Sequence, residues 1–217
     1  MREQFEASLR ELEKDFYNMS DLVLANLKVA LRGIGKHSDE DVVALSGRDV
    51  KINQFELEIE TNCILLLALQ NPLVSDLRLV VAILKACSDL ERIGDHALAI
   101  VKLSAKLSSR EGHLELDEEI NRMAQLVEPM FEKVMASFKE RDLKRAEQLA
   151  QRDNKVDDYF LNISKRSLSE MKNQETSVKA GVEYITIAGH IERIGDYLTN
   201  ICERIVYLET GELVELN

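Results

Sequence analysis

The chain has 217 residues, of which 45% are apolar and 31% are charged, and its formal net charge at pH 7 is −11. These fractions are typical of a globular protein and exclude a disordered chain. The acidic charge excludes nucleic acid as a favoured partner and fits cations or basic protein surfaces, or simply solubility.

Few residues interrupt helices in this sequence, since it contains two prolines and nine glycines. The sequence therefore predicts an all-α fold with long helices. Caps and breaks divide the chain into six helical stretches, at about 2–34, 38–70, 75–108, 116–139, 143–172 and 176–210. Thr176 is the predicted N-cap of the sixth stretch. No window alternates strictly enough to predict a strand.

The chain is predicted to be cytoplasmic. Cys63, Cys87 and Cys202 are odd in number and lie in apolar surroundings, which fits buried thiols in a reducing compartment. The N-terminus is charged from its second residue and carries no apolar signal-peptide core. The longest uncharged run, 61–75, is too short and too polar to span a bilayer.

The third and sixth predicted helices carry nearly the same apolar seam, shifted by 101 residues. Its members in the sixth helix are Tyr184, Ile187, Ile191, Ile194, Leu198, Ile201, Ile205 and Leu208. Those in the third are Ile83, Ala86, Leu90, Ile93, Ala97, Ile100, Ser104 and Leu107. Steps of three and four residues are typical of packed helices. The repetition predicts two similar three-helix bundles, 1–111 and 112–217, that meet near Gly112.

Both of these helices contain the pentamer Glu-Arg-Ile-Gly-Asp, at 91–95 and at 192–196. A helix-interior Gly costs about 1 kcal/mol relative to Ala, and acids four residues apart repel, so the motif predicts a role beyond folding. The first acid, the second acid and, in the second copy, Asn200 share one helix face, on the side away from the seam. The second and fifth stretches carry matching polar residues: Asp49, Asn53, Glu56 and Glu60 in one, Asp153 and Asp157 in the other.

Two neighbouring helices in each bundle are thus predicted to place acidic faces side by side on the outside. Carboxylates gathered in this way repel one another unless a cation lies between them. Oxygen-rich ligand sets suit Mg²⁺, Mn²⁺ or iron better than Zn²⁺ or Cu²⁺. Gly94 and Gly195 would let the neighbouring backbone approach closely, although either could serve packing alone. His96 and His190 occupy non-equivalent repeat positions, which disfavours a symmetric ligand role.

Taken together, these segments resemble the PhoU family, the phosphate-uptake regulators of bacteria. The resemblance rests on the two Glu-Arg-Ile-Gly-Asp copies, on "RDVKIN" (48–53) and "RDNKVD" (152–157), and on "QNPLVSDLR" (70–78). It covers essentially the whole chain. The fold that it implies is a pair of similar three-helix bundles, related by duplication.

The resemblance also implies multinuclear metal clusters on the bundle surface, with iron or magnesium favoured and manganese or zinc as alternatives. The implied ligands are Asp49, Asn53, Glu91 and Asp95 in the first half and Asp153, Asp157, Glu192, Asp196 and Asn200 in the second. The first half departs from the family pattern at Ala99, where the second has Asn200. The first site is therefore expected to hold fewer ions, to bind them more weakly, or to be empty.

By resemblance the protein is not an enzyme but a cytoplasmic negative regulator of phosphate uptake and of the phosphate-starvation response. The implied partners are the ATPase subunit of the phosphate-specific ABC transporter and its associated sensor histidine kinase. A homodimer is implied as well, with membrane contact only through partners. Two alternatives stay open: a metal-free helical adaptor with acidic faces, and a di-iron carboxylate enzyme. The enzyme is disfavoured because the acids lie off the seam and neither pentamer places His three residues after its Glu.

Overall fold

The computed structural model describes residues 2–69, 72–108, 116–173 and 178–216. Over these ranges the chain forms seven α-helices and no β-strand, as the all-α prediction requires. The helices are α1 (Arg2–Arg32), α2 (Asp39–Leu69), α3 (Val74–Ser108), α4 (Asp117–Glu140), α5 (Leu143–Ala150), α6 (Asp153–Asn173) and α7 (Val178–Thr210). The predicted N-cap Thr176 and the predicted boundary at Gly112 lie outside the described residues.

The fifth predicted stretch differs from the prediction because a turn at 151–152 divides it into α5 and α6. Arg141 adopts a left-handed conformation, with φ of 55°, and ends α4. Asp142 then caps α5 by accepting a hydrogen bond from the Arg145 backbone N–H at 3.0 Å. The turn after α5 starts a new helix at Asp153, which places that acid at an N-terminus instead of inside a longer helix.

Helices α1–α3 form one bundle and α4–α7 form the other. Every member of the two predicted seams is buried, from Ile83 to Leu107 on α3 and from Tyr184 to Leu208 on α7. These seams point into a core of Leu, Ile, Val, Phe and Met side chains, which supplies the main stabilising term through loss of apolar surface from water.

Polar side chains join α3 to α7, which pack on each other where the bundles meet. Nδ1 of His96 lies 2.8 Å from Nδ1 of His190, and the His96 ring stacks on Tyr197 with a centroid distance of 5.6 Å. Arg92 donates to the Tyr197 hydroxyl at 3.5 Å. These contacts give both histidines a structural role between the helices.

The three cysteines are buried and unoxidised, as predicted. Burial raises the pKa of the Cys63 and Cys202 thiols to about 12, so they stay protonated and unreactive at neutral pH. Among the described residues, no helix is both long enough and apolar enough to cross a membrane.

Candidate metal centre

Three acids of the second bundle come together between α6 and α7. One oxygen from each of Asp153, Asp157 and Asp196 lies within 4.8 Å of the other two. In the described part of the chain, this is the one group of three Asp, Glu, His or Cys side chains that meets this distance. We call these three acids, together with Glu192 one turn before Asp196, the second-repeat basin. Helical spacing brings them together, since each pair stands four residues apart on its own helix.

Asp153 is the least exposed member of the second-repeat basin. Its exposed fraction is 2%, so the prediction that all the acids lie on the outer surface is wrong for this residue. The Thr199 hydroxyl donates to Oδ2 at 3.2 Å, whereas Oδ1 is buried and accepts no hydrogen bond. Burial first, and the nearby Asp157 and Asp196 second, raise the pKa of Asp153 to about 7.

Gly195 explains how Asp153 can be buried against α7. A Cβ added to Gly195 would lie 2.1 Å from Oδ1 of Asp153, far inside any contact distance. The absence of a side chain therefore lets the carboxylate rest on the α7 backbone. The sequence predicted a close approach of the neighbouring backbone at Gly195; the atoms that approach it are those of the Asp153 side chain.

The remaining acids of the second-repeat basin are half-buried, and their negative charges repel one another. Burial is the largest cause of the raised pKa of Asp157, Glu192 and Asp196. Asp157 adds repulsion to Glu192 and Asp196, and Asp196 adds repulsion to Glu192. The basin thus holds negative charge at a cost that a bound cation would remove.

The first bundle repeats this arrangement on α2 and α3 in a looser form. Burial raises the pKa of Glu91 to about 7, and repulsion from Asp95, Glu56 and Asp49 adds to the shift. Oδ1 of Asp49 is buried without a hydrogen-bond partner, like Oδ1 of Asp153. These four acids form what we call the first-repeat basin.

The two basins differ in their donors. The first lacks an acid at the position of Asp157, where the first repeat has Asn53 with an exposed side chain. It gains Glu56, where the equivalent residue of α6 is Phe160. The predicted ligand set omitted Glu56, although its place in the acidic stripe of α2 could have identified it. A Cβ on Gly94 would approach the Ile52 side chain at 3.1 Å and the carboxylate of Asp49 at 3.8 Å, so the side chains of α2 approach this glycine less tightly than Asp153 approaches Gly195.

Asn200 faces the other bundle in this structure. Its side-chain amide donates to Oδ1 of Asp89 on α3 at 3.3 Å. Asp89 is itself buried, and burial raises its pKa to about 6. The repeat equivalent of Asn200 is Ala99, so this link between the bundles has no counterpart at the equivalent pair of positions.

The donor chemistry of both basins fits a hard cation. Each basin offers carboxylate oxygens and no thiol or imidazole, and each holds one buried carboxylate oxygen without a donor. Such oxygens are the ligands that Mg²⁺, Mn²⁺ and iron accept in proteins. A bound ion would supply the positive charge that these acids lack.

The chain matches the PhoU domain family twice, over residues 16–104 and 120–205. It is 44% identical to the phosphate-specific transport system accessory protein PhoU homolog of Streptococcus pneumoniae serotype 4, over 100% of both chains. A homolog with the same description in Clostridium acetobutylicum is 32% identical over 100% of this chain and 99% of the relative.

Two solved structures have the same fold. The crystal structure of the phosphate transport system regulatory protein PhoU from Streptococcus pneumoniae superposes with a TM-score of 0.89 at 41% identity, covering 97% of this chain and 99% of that one. The crystal structure of PhoU from Pseudomonas aeruginosa gives a TM-score of 0.91 at 27% identity, over 96% and 100%. The likeness therefore extends over the whole length of both relatives.

Proposed function

The chain belongs to the PhoU family, and we propose from this premise that it is an accessory protein of a phosphate transport system that restrains phosphate uptake when phosphate is ample. The full-length match to relatives that carry the accessory-protein description is the observation that supports this proposal most strongly. Those descriptions agree with the prediction that the chain is not an enzyme. The proposed location is the cytoplasm, where the ATPase subunit of the transporter and the associated sensor histidine kinase would be its partners.

The proposal includes metal ions in both basins. Asp153, Asp157, Glu192 and Asp196 would hold ions in the second bundle, and Asp49, Glu91 and Asp95 in the first. Iron and magnesium are the favoured ions, with manganese or zinc as alternatives. The support is chemical, since each basin has raised carboxylate pKa values and a buried oxygen without a donor.

In this proposal the acids of α6 and α7 favour a bound cation because they repel one another, and the residues around Asp153 determine where the cation is held. Gly195 lets Asp153 reach the α7 backbone, and the Thr199 hydroxyl orients that carboxylate. A bound cation would neutralise acids that otherwise repel across the gap between α6 and α7. Occupancy would thereby stiffen the bundle surface that a partner protein contacts.

Deletion of the gene, with phosphate uptake measured at high external phosphate, tests the regulatory role. We expect uptake to rise and phosphate-starvation genes to be expressed despite ample phosphate. Unchanged uptake together with unchanged expression would refute the regulatory proposal.

Complementation with variants separates the metal proposal from the regulatory one. Asp153→Asn combined with Asp196→Asn removes charge from the second-repeat basin, and Glu147→Gln is a control on an exposed acid of α5. We expect protein purified without chelator to lose the second-bundle share of its bound metal with the double variant and to keep its full metal content with the control. Equal metal contents in wild type and double variant, at background level, would instead favour the metal-free adaptor.

A further inference from the structure

Each Glu-Arg-Ile-Gly-Asp pentamer contains an arginine that the metal proposal does not use, Arg92 in the first copy and Arg193 in the second. Both side chains are exposed. An α-helix turns about 100° per residue, so each arginine points about 100° away from the glutamate before it and about 60° away from the aspartate after it. The acids of a pentamer can therefore face a basin while its arginine faces another part of the molecule.

Both arginines lie on the helix faces where α3 and α7 meet. Arg92 donates to the Tyr197 hydroxyl at 3.5 Å, and its guanidinium carbon is 5.8 Å from the centre of that ring. Arg193 stands three residues after His190 and four before Tyr197, so it shares their face of α7. These two residues contact His96 of α3. We call Arg92, Arg193, His96, His190 and Tyr197 the junction cluster.

Positive charge collects at the junction cluster. Burial first, then the His190 ring and the charges of Arg193 and Arg92, lower the pKa of His96 to about 4. Burial first and Arg193 second also lower the pKa of His190. Both guanidinium charges thus act on the same pair of imidazoles. Both histidines and Tyr197 are only half-buried, so an ion from solvent can reach them.

The two arginines are without ion pairs in an acidic chain. Acids outnumber bases by 39 to 28, yet within the described part of the chain neither Arg92 nor Arg193 pairs with a carboxylate. The acids that attract them from further away have other contacts. Glu91 and Glu192 belong to the basins, and Asp89 accepts a hydrogen bond from α7 at 3.3 Å.

We propose that the junction cluster binds a tetrahedral oxyanion of the phosphate type between Arg92 of α3 and Arg193 of α7. A guanidinium group donates two parallel hydrogen bonds to a phosphate or a carboxylate. Two such groups, the Tyr197 hydroxyl and an imidazole N–H are more donors than the two oxygens of one carboxylate accept, whereas a phosphate has four oxygens.

A metal ion is the competing ligand, because two neutral imidazoles with nitrogens 2.8 Å apart could chelate Zn²⁺ or Cu²⁺. The charges decide against it. The arginine charges that act on both rings repel a cation and attract an anion. The junction cluster is therefore opposite in sign to the two basins.

An anion held by one arginine from each repeat would connect the two bundles. Its binding would stabilise the contact between α3 and α7, since a ligand stabilises the arrangement that it binds. Free inorganic phosphate and the phosphoryl groups of a nucleotide share this chemistry. The inference requires neither metal ions in the basins nor the regulatory role.

Titration calorimetry with inorganic phosphate tests the site. The protein is first stripped of metal with chelator and dialysed, so that ions in the basins do not hold phosphate. We expect a Kd below about 1 mM, and Arg92→Gln or Arg193→Gln should weaken binding at least about tenfold. The matched control combines Arg48→Gln with Arg152→Gln, an exposed repeat-equivalent pair outside the junction cluster. It removes two positive charges, as the Arg92→Gln and Arg193→Gln double variant does, and should leave the Kd unchanged. Circular dichroism checks that all variants fold.

Nuclear magnetic resonance locates the bound anion. The imidazole signals of His96 and His190 should shift with added phosphate, whereas that of His37, which is buried beside Ser104, should not. Binding that leaves the His96 and His190 signals unchanged would overturn the assigned position.

The remaining outcomes are equally decisive. Saturable binding of adenosine diphosphate alone, lost in the Arg92→Gln and Arg193→Gln variants, would support the site with a nucleotide as the source of the phosphoryl group. The absence of saturable binding of either compound up to about 10 mM would overturn the proposal. Equal weakening by the two double variants would overturn it too, as would binding that appears only when Mn²⁺ is added. None of these results bears on the regulatory role, which gene deletion tests separately.

Discussion

Alanine at Gly195 is predicted to destabilise the second bundle, whereas alanine at Gly94, its repeat equivalent, is nearly neutral. The new Cβ at Gly195 would lie 2.1 Å from Oδ1 of Asp153, so the carboxylate must retreat by about 1.3 Å to reach an ordinary contact of 3.4 Å. Asp153 is enclosed and cannot retreat freely, since it is 2% exposed and is hydrogen-bonded to Thr199.

The magnitude follows from two opposing effects. Alanine gains about 1 kcal/mol over glycine inside a helix. Overpacking of a buried site costs about 1–3 kcal/mol, to which the loss of the Thr199 hydrogen bond adds about 1 kcal/mol. We expect Gly195→Ala to lower the free energy of unfolding by about 1–3 kcal/mol. At Gly94 the new Cβ meets the end of the Ile52 side chain at 3.1 Å, so the two effects nearly cancel.

Urea denaturation in the presence of chelator measures both variants without any contribution from bound metal. A second measurement is the affinity for Mn²⁺ by titration calorimetry. A ligand oxygen displaced by about 1.3 Å exceeds the tolerance of a metal site of about 0.2 Å, so Gly195→Ala should weaken binding at least tenfold. Equal stability and equal Mn²⁺ affinity of the two alanine variants would refute the reasoning about Asp153.

Two further predictions concern pH and the contact between the bundles. Because the pKa of Asp153 is raised from 3.8 to about 7 by folding, the chelated protein should lose about 1–3 kcal/mol of stability as pH rises from 4 to 8. Denaturation at several pH values measures this loss, and Asp153→Asn should reduce it. A stability that rises from pH 4 to pH 8 in both the wild type and the variant would contradict the raised pKa of Asp153. Asn200→Ala should cost about 1–3 kcal/mol even with chelator, because it leaves the buried carboxylate of Asp89 without its donor. The matched control is Ala99→Gly at the repeat-equivalent position, which should cost only about 1 kcal/mol in the same denaturation assay. A loss for Asn200→Ala smaller than that of Ala99→Gly would contradict the structural role of the Asn200–Asp89 hydrogen bond.

The sequence predicts the helices and the core well because both follow from periodicity. Steps of three and four along α3 and α7 identify residues that are all buried, from Ile83 on one helix to Leu208 on the other. The repeat of these steps also predicts the duplication. A short turn between two helices barely changes the apolar periodicity. For this reason the sequence predicted one helix over 143–172, whereas the structure has a break between α5 and α6 at 151–152.

The sequence predicts which residues form the candidate site but not how deeply each of them is buried. Helical spacing places Asp153, Asp157 and Asp196 on facing sides of neighbouring helices, as the structure has them. How deeply Asp153 is buried depends on the distance between α6 and α7, which no single helix encodes. The orientation of Asn200 depends likewise on Asp89 in the other bundle, more than a hundred residues away. The metal ions themselves remain a prediction.

The contact between His96 and His190 requires the two rings, which occupy non-equivalent repeat positions, to differ in where each carries its hydrogen atom. Burial first lowers the pKa of both rings, to about 4 for His96, so both are neutral at physiological pH. Their Nδ1 atoms are 2.8 Å apart, and a hydrogen bond at that distance needs a hydrogen on one nitrogen and a lone pair on the other. One imidazole must therefore adopt the Nδ1–H tautomer while its neighbour adopts Nε2–H. The contact between the bundles is therefore asymmetric in its hydrogen positions as well as in its residues.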